Sequence, residues 1–289
     1  MLAHTPVMVA ECLTALAVQP GAWYLDGTFG AGGHSWAILQ AGGSVLAIDR
    51  DPSTRRYADA LTVPAGRQFR WVEANFQELA GVVQEVGLTG VAGVLLDLGL
   101  SSMQLEAERG FAFREGGPLD MRMSRCGESA ADIVNSYDAE ALAELLYRYG
   151  EERYSRRLAK AIVAARSEAP ITRTEQLVEI ILRAYPGGPR RDHPARRTFQ
   201  ALRIAVNEEL GALEAALAGV ERCLLPGGRL AVISYHSLED RIVKRFIRAS
   251  TQLEALHKRP LTASEAEIEA NPRARSAKLR SAERRREAS

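Results

Sequence analysis

Short apolar runs alternate along the chain with longer stretches that have helical spacing. The runs around residues 23–26, 44–49 and 68–72 are typical of strands, and the nearly continuous apolar run 91–98 is typical of a strand buried on both faces. Between them, apolar residues recur three or four positions apart, as in amphipathic helices. Strands that alternate with helices predict an α/β fold with a parallel, doubly wound sheet.

Polar side chains stand where these predicted strands end. Asp26, Asp49 and Asp97 each close one run, and Asn75-Phe76 follows another. In an open α/β sheet, ligands bind beyond the carboxyl ends of the strands. We therefore expect these residues to converge on one ligand site.

A glycine-rich loop follows the first strand, and we expect a helix to begin directly after it. The residues Asp26-Gly27-Thr28-Phe29-Gly30-Ala31-Gly32-Gly33-His34 match neither the register of a dinucleotide fingerprint nor a Walker loop. Asp49, roughly 20 residues beyond the loop, is placed to bind ribose hydroxyls. S-adenosylmethionine is then the favoured ligand, with its amino-acid end at the acidic turn; an ordinary strand-to-helix turn is the alternative.

The pattern changes to helices and loops after the fourth strand. Asp138 is placed to cap a helix that stops at Gly150, and two more helices are indicated around Leu158 and Leu177. A long helix from about Thr198 to Cys223 and further strands near the C-terminus then return to the sheet. We predict a methyltransferase-like core in residues 1–103 and 197–289, with a helical insertion at 104–196.

Composition narrows the class of protein. The chain has 289 residues, 46% hydrophobic and 25% charged, with a net charge of +1, which suits a globular enzyme. The three cysteines are far apart, so neither a zinc site nor a disulfide framework is predicted, and no residue is assigned as a metal ligand. The N-terminus lacks a signal-peptide pattern and no run reaches membrane-spanning length, so a cytoplasmic protein without a membrane partner is expected.

Several long motifs, in order, resemble the bacterial small-subunit (16S) ribosomal RNA cytosine-N4 methyltransferase family, MraW. The resemblance covers nearly the whole chain, and departures from the usual pattern include Tyr235 in place of Phe. The motifs are Asp26–Ser35, Leu96–Ser102, Pro118–Met123, Thr198–Arg203, His236–Arg241 and Asn271–Ser276.

This resemblance implies a Rossmann-like, S-adenosylmethionine-dependent enzyme with a helical insertion. Its substrate would be one cytidine in the decoding region of the small-subunit RNA, free or within the small ribosomal subunit. A homodimer is one of the assemblies that the sequence leaves open. Carried over by motif, the cofactor contacts would be Gly32, Gly33, His34, Asp49, Phe76, Asp97 and Gln104.

Asp97 carries the sharpest hypothesis about catalysis. The cytosine amine is a poor nucleophile, and a carboxylate that accepts its N4–H would return electron density and align the base. A purely cofactor-binding role is the alternative. Phe76 would lie on the adenine face. His34 would contact the cofactor through its backbone, since no partner acid for a catalytic imidazole is evident nearby.

Other polar groups have two readings each. His236 with Glu239 and Asp240 either positions the target base or stabilises its loop, and Cys126 is more consistent with a plain loop residue than with a nucleophile. Clustered cations are candidate RNA phosphate contacts, or a solvated face. These cations are Arg190, Arg191, Arg196, Arg197, Arg203, Arg273, Arg275, Lys278 and Arg280.

Three functions compete with the methylation of ribosomal RNA. One is a non-catalytic, cofactor- and RNA-binding ribosome assembly protein; the intact set of cofactor residues argues against it, and a calorimetric titration with S-adenosylmethionine would test it. A nucleotide-dependent oxidoreductase is disfavoured by the loop register. The residues themselves do not distinguish methylation of ribosomal RNA from methylation of another RNA or of a protein, because the cytosine-N4 acceptor is implied only by the resemblance.

Overall fold

A computed structural model describes residues 6–101, 103–113, 116–187 and 193–286. The chain forms two compact units. The first comprises Met1–Gly99 and Leu210–Ser289, and the second comprises Leu100–Glu209. The boundaries differ from the expected ones at 103 and 196, chiefly because the helix that begins at residue 195 packs within the second unit.

The first unit is built on a seven-stranded sheet in the order β3-β2-β1-β4-β5-β7-β6. The first five strands are parallel, whereas β7 runs antiparallel to both of its neighbours. The predicted α/β class and parallel sheet are confirmed. The strands are β1 Trp23–Asp26, β2 Ser44–Asp49, β3 Phe69–Glu73, β4 Val91–Asp97, β5 Leu224–Ser234, β6 Leu253–Ala255 and β7 Lys278–Arg284.

Helices cover both faces of this sheet. On β4, Val94 and Leu96 belong to one buried cluster while Leu95 belongs to the other, because successive side chains of a strand point to opposite faces. The helices of this unit are α1 Val9–Leu16, α2 Gly33–Gln40, α3 Arg55–Asp59 and α4 Leu79–Glu85, followed after the second unit by α10 Glu209–Cys223, α11 Ser237–Ala249 and α12 Glu265–Ala270.

The second unit is helical and has its own hydrophobic core. Asp138 caps a helix as predicted, since its carboxylate accepts hydrogen bonds from the N–H groups of Glu140 and Ala141. Leu146, Leu158 and other apolar side chains at helical spacing fill the core. The helices are α5 Ala130–Ser136, α6 Ala139–Gly150, α7 Ser155–Arg166, α8 Thr174–Ala184 and α9 Ala195–Asn207.

The single long helix expected over 198–223 is wrong, because the chain forms α9 and α10 with a break between them. Glu208 adopts a left-handed conformation (φ 49°). Beside it, the buried Asn207 amide donates to the Met121 carbonyl (2.8 Å) and accepts from the Met123 N–H (2.9 Å). These long-range bonds fix the end of α9.

Two other details differ near the C-terminus. The strand expected to begin at Arg229 begins at Leu224, and its register against β4 shifts across Pro226-Gly227-Gly228. The three-residue strand β6 was not predicted. Within the described ranges, no helix has the length and apolar content needed to cross a membrane.

Candidate active site at the carboxyl edge of the sheet

Asp26, the last residue of β1, holds the glycine loop to the following helix. Its Oδ2 accepts a hydrogen bond from the Ser35 hydroxyl (2.7 Å), and its Oδ1 accepts one from the Thr28 N–H (3.1 Å). The side chain is only 1% exposed, and burial raises its pKa. This buried carboxylate therefore holds the loop in place, and the expected contact with a ligand's amino-acid end stays a prediction.

The loop needs glycine for close packing and for backbone conformation. A Cβ on Gly27 would lie 2.6 Å from Leu96 Cδ2, and one on Gly32 would lie 2.8 Å from the Phe29 ring. Gly32 also has φ 79°, which side chains disfavour. Helix α2 begins at Gly33, and no side chain caps its N-terminus. The backbone is thus shaped to present N–H groups at the sheet edge.

Asp49 closes β2 next to this loop. Its Oδ2 accepts a hydrogen bond from the Gly30 N–H (2.7 Å), and its Oδ1 accepts one from the Asp51 N–H (2.8 Å). Burial raises the pKa of Asp49 to about 7, against the opposing effect of these two bonds. Since each carboxylate oxygen has two lone pairs, both oxygens keep the capacity to accept a further bond from ribose hydroxyls.

Phe76 follows β3 in a short 3-10 helix, Phe76–Glu78, and is half-buried. It packs against the cluster that contains Leu96. A Cβ on Gly27 would lie 3.4 Å from the Cβ of Phe76, so Phe76 adjoins the glycine loop. Phe76 is therefore placed on the same edge as Asp49, as the sequence predicts for an adenine contact.

Asp97 ends β4, and its side chain is 21% exposed. Its backbone N–H donates to the Thr28 hydroxyl (2.7 Å). Its Oδ1 accepts hydrogen bonds from the Tyr235 hydroxyl (2.9 Å) and the Gly99 N–H (3.3 Å). Since these donors occupy Oδ1, Oδ2 is the oxygen with more capacity for a ligand.

Tyr235 was noted in the sequence only as a departure from the usual pattern. The structure gives its hydroxyl a partner, Asp97, and burial together with the neighbouring carboxylate raises its pKa. A Cβ on Gly99 would lie 2.7 Å from the Tyr235 ring, so the ring fits only against glycine. No local sequence signal could have revealed this pair, because 138 positions separate the two residues.

His34 lies near the start of α2 and is buried. Its Nε2 is 2.9 Å from the Val7 carbonyl, and since a carbonyl only accepts, Nε2 carries the hydrogen. Its Nδ1 lies 3.9 Å from Asp97 Oδ2. The expectation that no acid lies near this imidazole is wrong, because the adjacent strands β1 and β4 bring the two residues together.

His236 and its neighbours form the network that stabilises the loop after β5. Glu239 Oε2 accepts from the Tyr235 N–H (2.8 Å), and Glu239 Oε1 lies 2.9 Å from His236 Nε2. Asp240 binds Arg280 at 2.6 Å. These contacts give Glu239 and Asp240 structural partners, whereas His236 Nε2 is buried without a hydrogen bond in the described part of the chain, so both readings of His236 stay open.

Several of the remaining predicted residues have defined positions or lie outside the described part of the chain. Gln104 lies in the helical unit, where its buried side chain accepts from the Ser101 N–H (2.9 Å). Arg203 and Arg280 form partly buried ion pairs with Glu209 and Asp240, which gives them a structural role. Two predicted RNA contacts, Arg190 and Arg191, lie outside the described residues.

The chemistry of this edge fits the predicted cofactor. Asp49 and Asp97 offer carboxylate oxygens on neighbouring parts of one sheet edge, with the uncapped start of α2 between them in sequence. S-adenosylmethionine has hydroxyl and ammonium donors and a cationic sulfur, all of which carboxylates favour. The side chains present thus match the groups that they would have to hold.

Comparisons with known proteins identify the family to which the chain is similar. Residues 1–285 match the family described as the MraW methylase family. Ribosomal RNA small subunit methyltransferase H of Deinococcus deserti is 54% identical, over 98% of this chain and 94% of the relative. The proteins of that name from Deinococcus radiodurans (54% identity, covering 97% and 89%) and Rhodopseudomonas palustris (51%, covering 97% and 90%) are similar.

Proposed function

Since the chain belongs to the MraW methylase family, we propose that it transfers a methyl group from S-adenosylmethionine to the exocyclic N4 of one cytidine in the decoding region of small-subunit ribosomal RNA. The family predicted from the motifs is confirmed. The relatives' names support a small-subunit ribosomal RNA substrate. The N4 position rests on the motif resemblance. Such a substrate would place the activity in the cytoplasm.

The observation that carries this proposal is the convergence of Asp49, Asp97 and His34 beside one glycine loop. Asp49 would accept bonds from the ribose hydroxyls, and Phe76 would stack on the adenine. The start of α2, with Gly32 and Gly33, would offer backbone N–H groups. Gln104 is the further contact proposed from its motif.

Bound S-adenosylmethionine supplies an electrophilic methyl group on a cationic sulfur. Asp97 is the residue that we assign to the acceptor amine: its Oδ2 would accept an N4–H bond and hold the base in line. Tyr235 and Gly99 would keep that carboxylate in one orientation through Oδ1. Such alignment lowers the barrier because the reacting groups no longer have to be ordered during the reaction.

A methyl-transfer assay tests the proposal. Unmodified small ribosomal subunits, and separately their free RNA, would be incubated with labelled S-adenosylmethionine and digested for nucleoside mass spectrometry. We expect N4-methylcytidine at a single position. Label in another nucleoside would contradict the assigned acceptor, and cofactor binding without any transfer would favour the assembly-protein alternative.

A further inference from the structure

Helix α7 of the second unit carries an exposed face on which every charged side chain is basic. Arg156, Arg157 and Lys160 are exposed, as is Arg153 just before the helix, and α7 contains no acidic residue. At 3.6 residues per turn, the three helical cations fall within an arc of about 100°. The opposite side buries Leu158 and other apolar residues. The apolar spacing in the sequence predicts the buried side of α7 but not this basic face.

These cations differ from others on the same unit. Arg173 and Arg183 pair with Glu175 and Glu179, whereas no cation of the basic face forms an ion pair with any residue in the described part of the chain. An exposed charge of one sign that its own fold does not neutralise is available to a partner of opposite charge.

Neighbouring contacts extend this basic face and order part of it. The Arg153 guanidinium lies 4.6 Å from the centroid of the Tyr154 ring, which restricts a flexible side chain. Arg197, exposed at the start of α9, donates a hydrogen bond to the Glu151 carbonyl (2.7 Å), two residues before Arg153. Arg197 therefore lies beside the α6–α7 turn, which also carries the exposed Glu151, and adds a cation near the face on α7.

We propose that this basic face, Arg153, Arg156, Arg157, Lys160 and Arg197, binds the phosphate backbone of the substrate RNA. The inference rests on the proposed function in taking RNA as the substrate. It assigns the RNA contact to side chains outside the sheet edge that holds the cofactor residues. Its contribution is to affinity and register, because phosphate contacts do not read sequence.

The spacing of the charges favours a nucleic-acid backbone. From residue 156 to residue 160 the helix advances about 6 Å, a length over which one strand of a nucleic-acid duplex carries about two phosphates. The exposed positions of the face hold no large apolar side chain that would insert into a lipid surface. A row of cations at phosphate-like spacing thus matches RNA more closely than a membrane.

The test measures RNA binding as a function of salt. The variant R156A/R157A/K160A would be titrated with unmodified small-subunit RNA between about 50 and 300 mM KCl. We expect at least tenfold weaker binding near 150 mM, and a slope of log K against log salt reduced by about 2, because each lost phosphate contact contributes about 0.7. Affinity for S-adenosylmethionine should stay within about twofold.

Two control variants make the result specific. R55A/R173A/R183A removes three exposed cations that already pair with Asp59, Glu175 and Glu179, and should leave the slope unchanged. R156K/R157K keeps the charge and should keep the slope. Loss of binding in this lysine variant would indicate a structural effect and overturn the proposal.

The remaining outcomes separate this inference from the proposed function. Wild-type protein that methylates subunits while the triple-alanine variant binds RNA normally would overturn the basic face alone. Normal binding of that variant to free RNA, with weakened binding to assembled subunits, would identify an acidic ribosomal protein as the partner and also overturn it. Wild-type protein that neither binds nor methylates the RNA would overturn the proposed function.

Discussion

The ends of β1 and β4 lie side by side in the sheet and each ends in an aspartate, yet the two carboxylates do different work. Asp26 is buried, and both of its oxygens accept bonds from the loop that follows it. Asp97 is about one-fifth exposed, with one oxygen held by Tyr235 and Gly99. An acid at a strand end is thus a candidate for ligand binding only where the fold leaves an oxygen accessible.

The different surroundings of Asp26 and Asp97 also predict different effects on stability and on activity. Asp26 connects β1 to α2 through Ser35, so its loss should loosen the loop as a whole. Asp97 accepts its two bonds, from Tyr235 and Gly99, through one oxygen only, so a change at the other oxygen should act mainly on the chemistry. Single substitutions at or next to these strand ends distinguish the two effects.

The largest expected effect is on turnover in Asp97→Asn. The amide keeps the shape but offers a weaker acceptor to the N4–H, so kcat should fall roughly 100-fold or more. Cofactor affinity, measured by calorimetry, should change by about threefold or less if the group acts on the base. Turnover at the wild-type rate with normal cofactor binding would rule out the catalytic role.

Asp26→Ala should instead destabilise the protein. It leaves the Ser35 hydroxyl and the Thr28 N–H without their buried acceptor, at a cost of about 2–3 kcal/mol. The midpoint of thermal unfolding should drop by roughly 5–10 °C. An unchanged midpoint combined with a large loss of turnover would reverse the comparison between the two strand ends.

Asp49 predicts a pH dependence of cofactor binding. Burial raises its pKa to about 7 in the free protein, and hydroxyl donors favour the ionised form. Affinity should therefore be constant above pH 7 and fall by up to about tenfold per unit as the pH drops below 7. Calorimetric titrations from pH 5.5 to pH 8.5 measure this slope.

The control for this slope is Asp49→Asn, which cannot ionise. Its affinity should be lower throughout and should lack the dependence near pH 7. The raised pKa also means that ionisation of Asp49 costs stability as the pH rises from about 4 to 7. The cofactor-free Asn variant should lack this loss of stability between pH 4 and 7, although its amide can accept only one of the two backbone N–H bonds that the carboxylate accepts. If the pH dependence of cofactor affinity persists in Asp49→Asn, a group other than Asp49 causes it.

The smallest effect is expected in Tyr235→Phe. It removes the hydroxyl that donates to Asp97 Oδ1 but leaves the Gly99 N–H as a second donor, so kcat should fall only about two- to fivefold. Tyr57→Phe, whose hydroxyl accepts a bond from the exposed Arg56, is the matched control and should be neutral. Equal losses of kcat in Tyr235→Phe and Tyr57→Phe would contradict a specific role of the Tyr235 hydroxyl.

The sequence predicts the sheet edge well because local patterns determine it. Apolar runs locate four strands. Their alternation with helices implies a parallel sheet, so the acid or aromatic residue after each strand is expected at one edge. The break at Glu208 could not be predicted, since it depends on Asn207 bonds to residues more than 80 positions away. The same holds for His34 and Asp97, which only the pairing of β1 with β4 brings together.

The central claim is that Asp49, rather than Asp26, holds one S-adenosylmethionine at this edge, with its sulfur beside Asp97. A crystal structure with S-adenosylhomocysteine tests it most directly. The account predicts both ribose hydroxyls within about 3 Å of the Asp49 carboxylate and the sulfur on the side of Asp97. Ribose density bound elsewhere, or a ligand that contacts Asp26 while Asp49 keeps only its two backbone partners, would contradict it.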